Sequence, residues 1–335
     1  MTAQPTRWII SRSADMTFVI GSAAAGYLYL ILYTVFQMPA SWMWWIWSIG
    51  FDGTHIFATA SRTYFDREER TRNGALLFGA LALCFAAGPI LVLAGLKLLL
   101  AIFVGVWAYY HVIRQHWGFV MLYKVKARDL DPRDTRLDQW FLAVMTVAPP
   151  FLRFFVHHPE ELGIPARFAL NKLAPGFEWI VYAGVAWVAV NYAARLRETA
   201  QWNLPKLWLL AAIVPLHWLT FGFLSRQAAV PTVTIVHNLQ YHAIVWFYNR
   251  NKYSGSEAAA DYGRIPAAVT RSLMAYALMG IVFSVLYRVP GFHLGRISDL
   301  AFGLFCGFGF THYYLDSRIW HVRHDPALRS RLQLA

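Results

Sequence analysis

The chain has 335 residues, of which 58% are hydrophobic and 14% charged, with 30 Lys and Arg against 18 Asp and Glu for a net charge of +12. A mean hydropathy of +0.39 belongs to an integral membrane protein and leaves no room for a large soluble domain. Two cysteines, Cys84 and Cys306, both inside apolar stretches, exclude a disulfide framework and a thiolate metal cluster.

The first 16 residues have no basic start, apolar core and small-residue cleavage site in succession, and read as a retained cytosolic tail. A window of about 19 residues then finds apolar segments near 17–36, 41–61, 74–93, 97–122, 138–156, 177–194, 206–224, 229–248, 268–288 and 297–317. Each approaches the roughly 20 residues needed to span a bilayer as a helix. The expectation is an all-α, polytopic membrane bundle of about ten transmembrane helices, forming one transmembrane domain over 1–335. The connections after even-numbered segments are basic: Arg62, Arg67, Arg70 and Arg72; Lys124, Lys126, Arg128, Arg133 and Arg136; Arg195, Arg197 and Lys206; Arg250, Lys252 and Arg264. The positive-inside rule puts these loops and both termini in the cytosol. The positive charge is then a matter of topology and of attraction to anionic headgroups, and nucleic acid is not an expected partner.

Four segments carry histidine with a carboxylate or a second histidine: SIGFDGTHIFAT (Asp52, His55), AYYHVIRQHWGF (His111, His116), TIVHNLQYHAIV (His237, His242) and FTHYYLDSRIWH (His312, Asp316). All four are even-numbered, so all run from outside to inside and place these residues at one depth near the cytosolic face. Ionisable side chains in a span are costly and mark functional sites. Six imidazoles and two carboxylates form a metal-ligand set suited to iron, manganese, zinc or copper, and large enough for one or two ions.

Helix geometry sorts the pairs. Asp52 and His55 are three apart and His312 and Asp316 four apart, so each pair shares a face. The pairs His111/His116 and His237/His242 are five apart, about 140° around a regular helix. Either a π-bulge realigns them, or one member of each pair binds the ion while the other faces a second ion or the substrate. Tyr110, Gln115, Asn238, Gln240 and Tyr241 are placed to orient the imidazoles by hydrogen bonding, and Arg114 to pair with a carboxylate or an anionic group. Trp107, Tyr109, Trp117 and Trp246 are the aromatics placed to line a substrate cavity. The shared H-x4-H and Thr-His elements fit an internal duplication with halves at about 17–156 and 177–320.

The two H-x4-H pairs resemble the looser histidine boxes of the integral-membrane non-haem iron oxygenases, the fatty-acyl desaturases, hydroxylases and alkane hydroxylases; that group's H-x2-H-H boxes are absent. TH-x3-D at His312 and Asp316 also resembles an element of the Brp/Blh-type carotene oxygenases, whose Pro-His-Gly start is replaced here by Asp52-Gly53-Thr54-His55. Both resemblances imply non-haem iron, O2 as co-substrate and a lipid-soluble substrate oxidised near the cytosolic face, with a soluble cytosolic electron donor where the reaction needs electrons. Three other readings use the same residues: a metal-dependent lipid hydrolase or transferase, a haem-binding electron-transfer protein, and a metal or proton transporter.

Overall fold

The computed structural model describes residues 7–199, 201–255 and 257–334. Among them every regular element is helical, with no strand. The longer helices are α1 (Ala23–Thr34), α2 (Ala40–Trp47), α3 (Gly53–Arg62), α4 (Arg67–Leu93), α5 (Lys97–Ala127), α6 (Pro132–Phe151), α7 (Phe177–Glu198), α8 (Leu204–Phe223), α9 (Arg226–Tyr253), α10 (Leu273–Ile297) and α11 (Asp299–Ile319). Their starts are chemically marked. Asp66 accepts from the Glu69 amide ahead of α4, Asp131 from the Arg133 and Asp134 amides with Pro132 at the first helical position of α6, and Ser298 from the Ala301 amide ahead of α11.

The ten apolar segments map onto helix, with one displaced. The segment expected over 268–288 begins only at Leu273, where Ser272 caps the Ala275 amide, and runs on to Ile297. Among the described residues, six helical stretches are long and apolar enough to cross a membrane: Arg12–Thr34, Arg67–Leu93, Lys97–Ala127, Pro132–His157, Leu204–Phe223 and Leu273–Ile297. Three of the other four segments are the ones bearing Asp52 and His55, His237 and His242, and His312 and Asp316, so the polar residues of the site dilute the apolar character of the helices that carry it.

The chain divides into two compact units, each drawing on both halves of the sequence. The first comprises Met1–Trp44 and Val112–His237, the second Trp45–His111 and Asn238–Ala335. In the first, α6 packs against α7 and α8, and α8 against α1. In the second, α11 lies along α4. Gly88 and Gly303 make that approach possible, since a Cβ on Gly88 would stand 2.0 Å from the Gly303 carbonyl oxygen. α10 packs against α3 through the same device, with Gly53 against Ser284 and Gly280 against Phe57. These close approaches hold α3, with His55, and α11, with His312, inside one unit.

Candidate metal centre

His55 on α3, His111 on α5, His237 on α9 and His312 on α11 are all buried, and each offers a ring nitrogen within 4.8 Å of the others. His237 is the last residue that α9 contributes to the first unit, one helical turn ahead of Tyr241. Nitrogens bound at about 2.0–2.1 Å to one ion stand about 3.3 Å apart in a tetrahedron and at most about 4.2 Å apart across a centre, so small side-chain shifts suffice to close this set on a single ion. The rings meet edge to face, with centroids 4.3 Å apart for His55 and His312, 4.8 Å for His111 and His312, and 6.2 Å for His55 and His111.

Hydrogen bonds tie the Nδ1 side of His312 to a hydroxyl and a carboxylate. Thr59 Oγ1 donates to Asp316 Oδ1 at 2.9 Å and the Tyr241 hydroxyl donates to the same oxygen at 2.6 Å. Each hydroxyl has one proton. Thr59 Oγ1 also lies 2.7 Å from the Tyr241 hydroxyl and 2.7 Å from His312 Nδ1; where its proton goes to the carboxylate, the last contact is an Nδ1–H of His312 donating to Thr59. In that arrangement Nε2 of His312 is the unprotonated nitrogen; it is buried without a hydrogen-bond partner. An imidazole tied through one nitrogen to a hydroxyl and carboxylate, with the other left bare, is oriented for a metal.

The sequence-derived candidates separate into those the structure gathers and those it does not. Of each pair spaced five apart, one member joins the group, His111 and His237. No π-turn occurs in α5 or α9 to realign the pairs, and the second member of each is packed elsewhere. His116 is buried in the first unit with its ring 5.9 Å from that of His217. His242 is engaged at both nitrogens, Nε2 with Thr54 Oγ1 at 3.0 Å and Nδ1 with the Tyr276 hydroxyl at 2.9 Å, which leaves it no lone pair for an ion.

Neither carboxylate takes the expected place among the ligands. Asp52 closes a π-helical segment, Ser48–Asp52, whose wider turn removes it from the α-helical phase of His55, and it pairs instead with Arg288 of α10. Asp316 is buried beside the group, 3.8 Å from Nε2 of His111, but its Oδ1 serves Thr59 and Tyr241. Through Thr59 it backs His312, and its Oδ2 is the oxygen that faces His111.

Tyr241 holds the supporting position expected of it, its ring 4.5 Å from His55. Gln115 donates to the backbone carbonyl of His237 at 2.7 Å and so acts on the helix rather than on the imidazole. Asn238 and Gln240 are buried, and the Asn238 amide makes no hydrogen bond. Tyr110 and Arg114 are exposed, away from the site. Trp107 stacks on Phe310 at 5.1 Å and Trp246 lies 5.5 Å from Tyr276, while Tyr109 and Trp117 are half-buried. Sequence reasoning did not single out Thr59 or Tyr313. Thr59 stands four residues after His55, one turn along the same face, a spacing that could have flagged it. Tyr313 covers the His111 ring at 4.7 Å, next to His312 in sequence but selected only by packing.

In comparisons with protein-family models, curated proteins and solved structures, nothing matches this chain.

Proposed function

We propose that the chain is a multi-pass membrane oxidoreductase that holds one non-haem iron ion on His55, His111, His237 and His312 and uses O2 to oxidise a lipid-soluble substrate near the cytosolic face. The observation that carries this reading is the convergence of four buried ring nitrogens, with the bare Nε2 of His312 backed by Thr59 and Asp316. One ion is favoured over two because the four imidazoles make a single set of donors and Asp52 is paired with Arg288. An all-imidazole set suits iron, zinc, copper and manganese to different degrees, and the histidine-box resemblance favours iron.

Iron bound there supplies O2 activation. The protein's own residues do the rest: Thr59 and Asp316 keep the His312 proton on Nδ1, and Tyr241 and Tyr313 pack against the imidazoles and shield them from water. A zinc hydrolase would need a carboxylate or imidazole at hand as base, and Asp316 and His242 are already committed to hydrogen bonds. A haem would need room for a porphyrin between two of these histidines, and here the ring nitrogens of all four lie within 4.8 Å of one another. In this reading all ten apolar helices cross the bilayer, both termini and the basic loops face the cytosol, and the substrate enters from the lipid. A soluble electron donor would dock on the basic loops; a dioxygenase reaction would need none.

Elemental analysis and an optical spectrum of the detergent-purified protein test this directly, beside a variant combining His111→Ala and His237→Ala. About one iron per chain without a Soret band, lost in the variant, is the expected result. A protein that binds none of iron, zinc, manganese or copper after reconstitution would end this reading.

A further inference from the structure

Arg288 stands within α10, one of the helices long and apolar enough to cross a membrane, and its guanidinium pairs with Asp52. Charged side chains inside such a helix are costly and tend to serve a substrate or ion path, and π-turns such as Ser48–Asp52 cluster at functional positions as well. The pair is not sealed. Arg288 and Asp52 keep 28% and 21% of their side-chain surface exposed, whereas the Lys124–Asp138 pair of the first unit is 0% and 2% exposed. Asp52 is reached through Nη2 of Arg288, and Nε of the same guanidinium is buried without an acceptor. The pair is also close in sequence and space to the metal centre. Asp52 precedes His55 by three residues, and Tyr313, which lies 4.7 Å from the His111 ring, is within electrostatic reach of Arg288.

We infer that Asp52 and Arg288 form the anchor for a hydroxyl group on an otherwise apolar substrate, so that the substrate class is a lipid alcohol. The pair is neutral overall, and a carboxylate ligand would have to compete with Asp52 for the guanidinium. It presents a donor and an acceptor side by side, which matches a hydroxyl, a group that both accepts and donates. A plain hydrocarbon would cover the donor and acceptor positions that the pair does not spend on itself and give them no partner. This inference names the substrate for the metal centre proposed above and rests on that reading.

The test is equilibrium binding of tritiated octadecan-1-ol and octadecane to the purified protein in detergent, with metal content measured on the same samples. A hydrogen bond to a charged group is worth about 1.5–3 kcal/mol, so the wild type should prefer the alcohol by about tenfold or more. A double variant, Asp52→Asn with Arg288→Met, should bind both probes equally while its metal content stays unchanged. Octadecyl methyl ether, which accepts but cannot donate, should bind the wild type more weakly than the alcohol, a comparison that does not depend on any variant folding. Equal binding of alcohol and alkane, equal binding of alcohol and ether, or an unchanged preference in the double variant would each overturn the inference. Metal present without alcohol preference defeats the anchor alone; alcohol preference without any metal defeats the metal-centre reading alone.

Discussion

Two buried polar clusters in this chain are built from similar materials and do different things. In the first unit, Lys124 and Lys206 both reach Asp138 Oδ2, at 2.7 and 2.9 Å, both also pair with Asp129, at 3.1 and 3.2 Å, and the Tyr192 hydroxyl donates to Asp138 Oδ1. Two ammonium groups meet two carboxylates, and the charge closes on itself. In the second unit, Thr59 and Tyr241 satisfy Asp316, and the effect of that network is to leave a nitrogen of His312 bare and facing other imidazoles. A network that closes staples helices together; a network that holds one imidazole among three others gathers ring nitrogens closely enough for a cation. Buried polarity alone does not mark a functional site. What marks it is where the unspent lone pairs point.

The comparison breaks most sharply at the imidazoles. Replacing His55, His111, His237 or His312 singly by alanine should remove nearly all bound metal, read by elemental analysis, while the variants elute as folded protein in detergent. If all four keep full occupancy, the second cluster is a staple as well. Asp138→Asn should do the opposite: it leaves two buried lysines short of a counter-charge and costs about 3–5 kcal/mol of stability, read as a large fall in thermal midpoint, with metal content per folded chain unchanged. A loss of metal in step with Asp138 would mean that the two clusters are not separate in function.

Finer changes sharpen the contrast. Thr59→Val keeps the shape of the side chain but removes the hydroxyl that fixes the His312 proton, and should weaken metal affinity about 10–100-fold, measured by competition with a chelator. Thr59→Ser should restore it. The smallest effect is expected at the histidines left outside the group: His116→Gln and His242→Gln should change metal content by less than about twofold, since His242 spends both nitrogens on Thr54 and Tyr276. Metal loss in His242→Gln equal to that in His237→Ala would reinstate both members of the pair as ligands.

The helices, and the residues that could bind a metal, were legible because their signals are local. Apolar runs located the segments, and histidines within them stood out by the cost of a polar group among apolar ones. The five-residue spacing of His111/His116 and His237/His242 already implied that one ion could not take both members of a pair from a straight helix, and the structure has straight α-helix there. It could not say which member turns inward, because that depends on the rotation of α5 and α9 against their neighbours. Asp52 was misplaced among the ligands because its partner, Arg288, lies more than two hundred residues away in the chain, and because Ser48–Asp52 departs from the 3.6-residue turn on which the shared-face argument rested. Tyr110 and Arg114 were candidates by adjacency to His111, and adjacency on a helix does not confer a common direction.

By itself, then, the sequence determined composition-level and helix-level properties: an apolar, helical chain with several stretches able to cross a membrane, imidazole donors without thiolates, and helix ends set by capping residues. These depend on side-chain transfer energies and on hydrogen bonds that span a few residues. Only the tertiary structure decided which four histidines meet, that Asp316 accepts from Thr59 and Tyr241 beside them and that Asp52 belongs to Arg288. Those outcomes depend on helix phase and on close approaches such as Gly88 with Gly303 and Gly53 with Ser284, where a single added carbon would push helices apart and separate the donors.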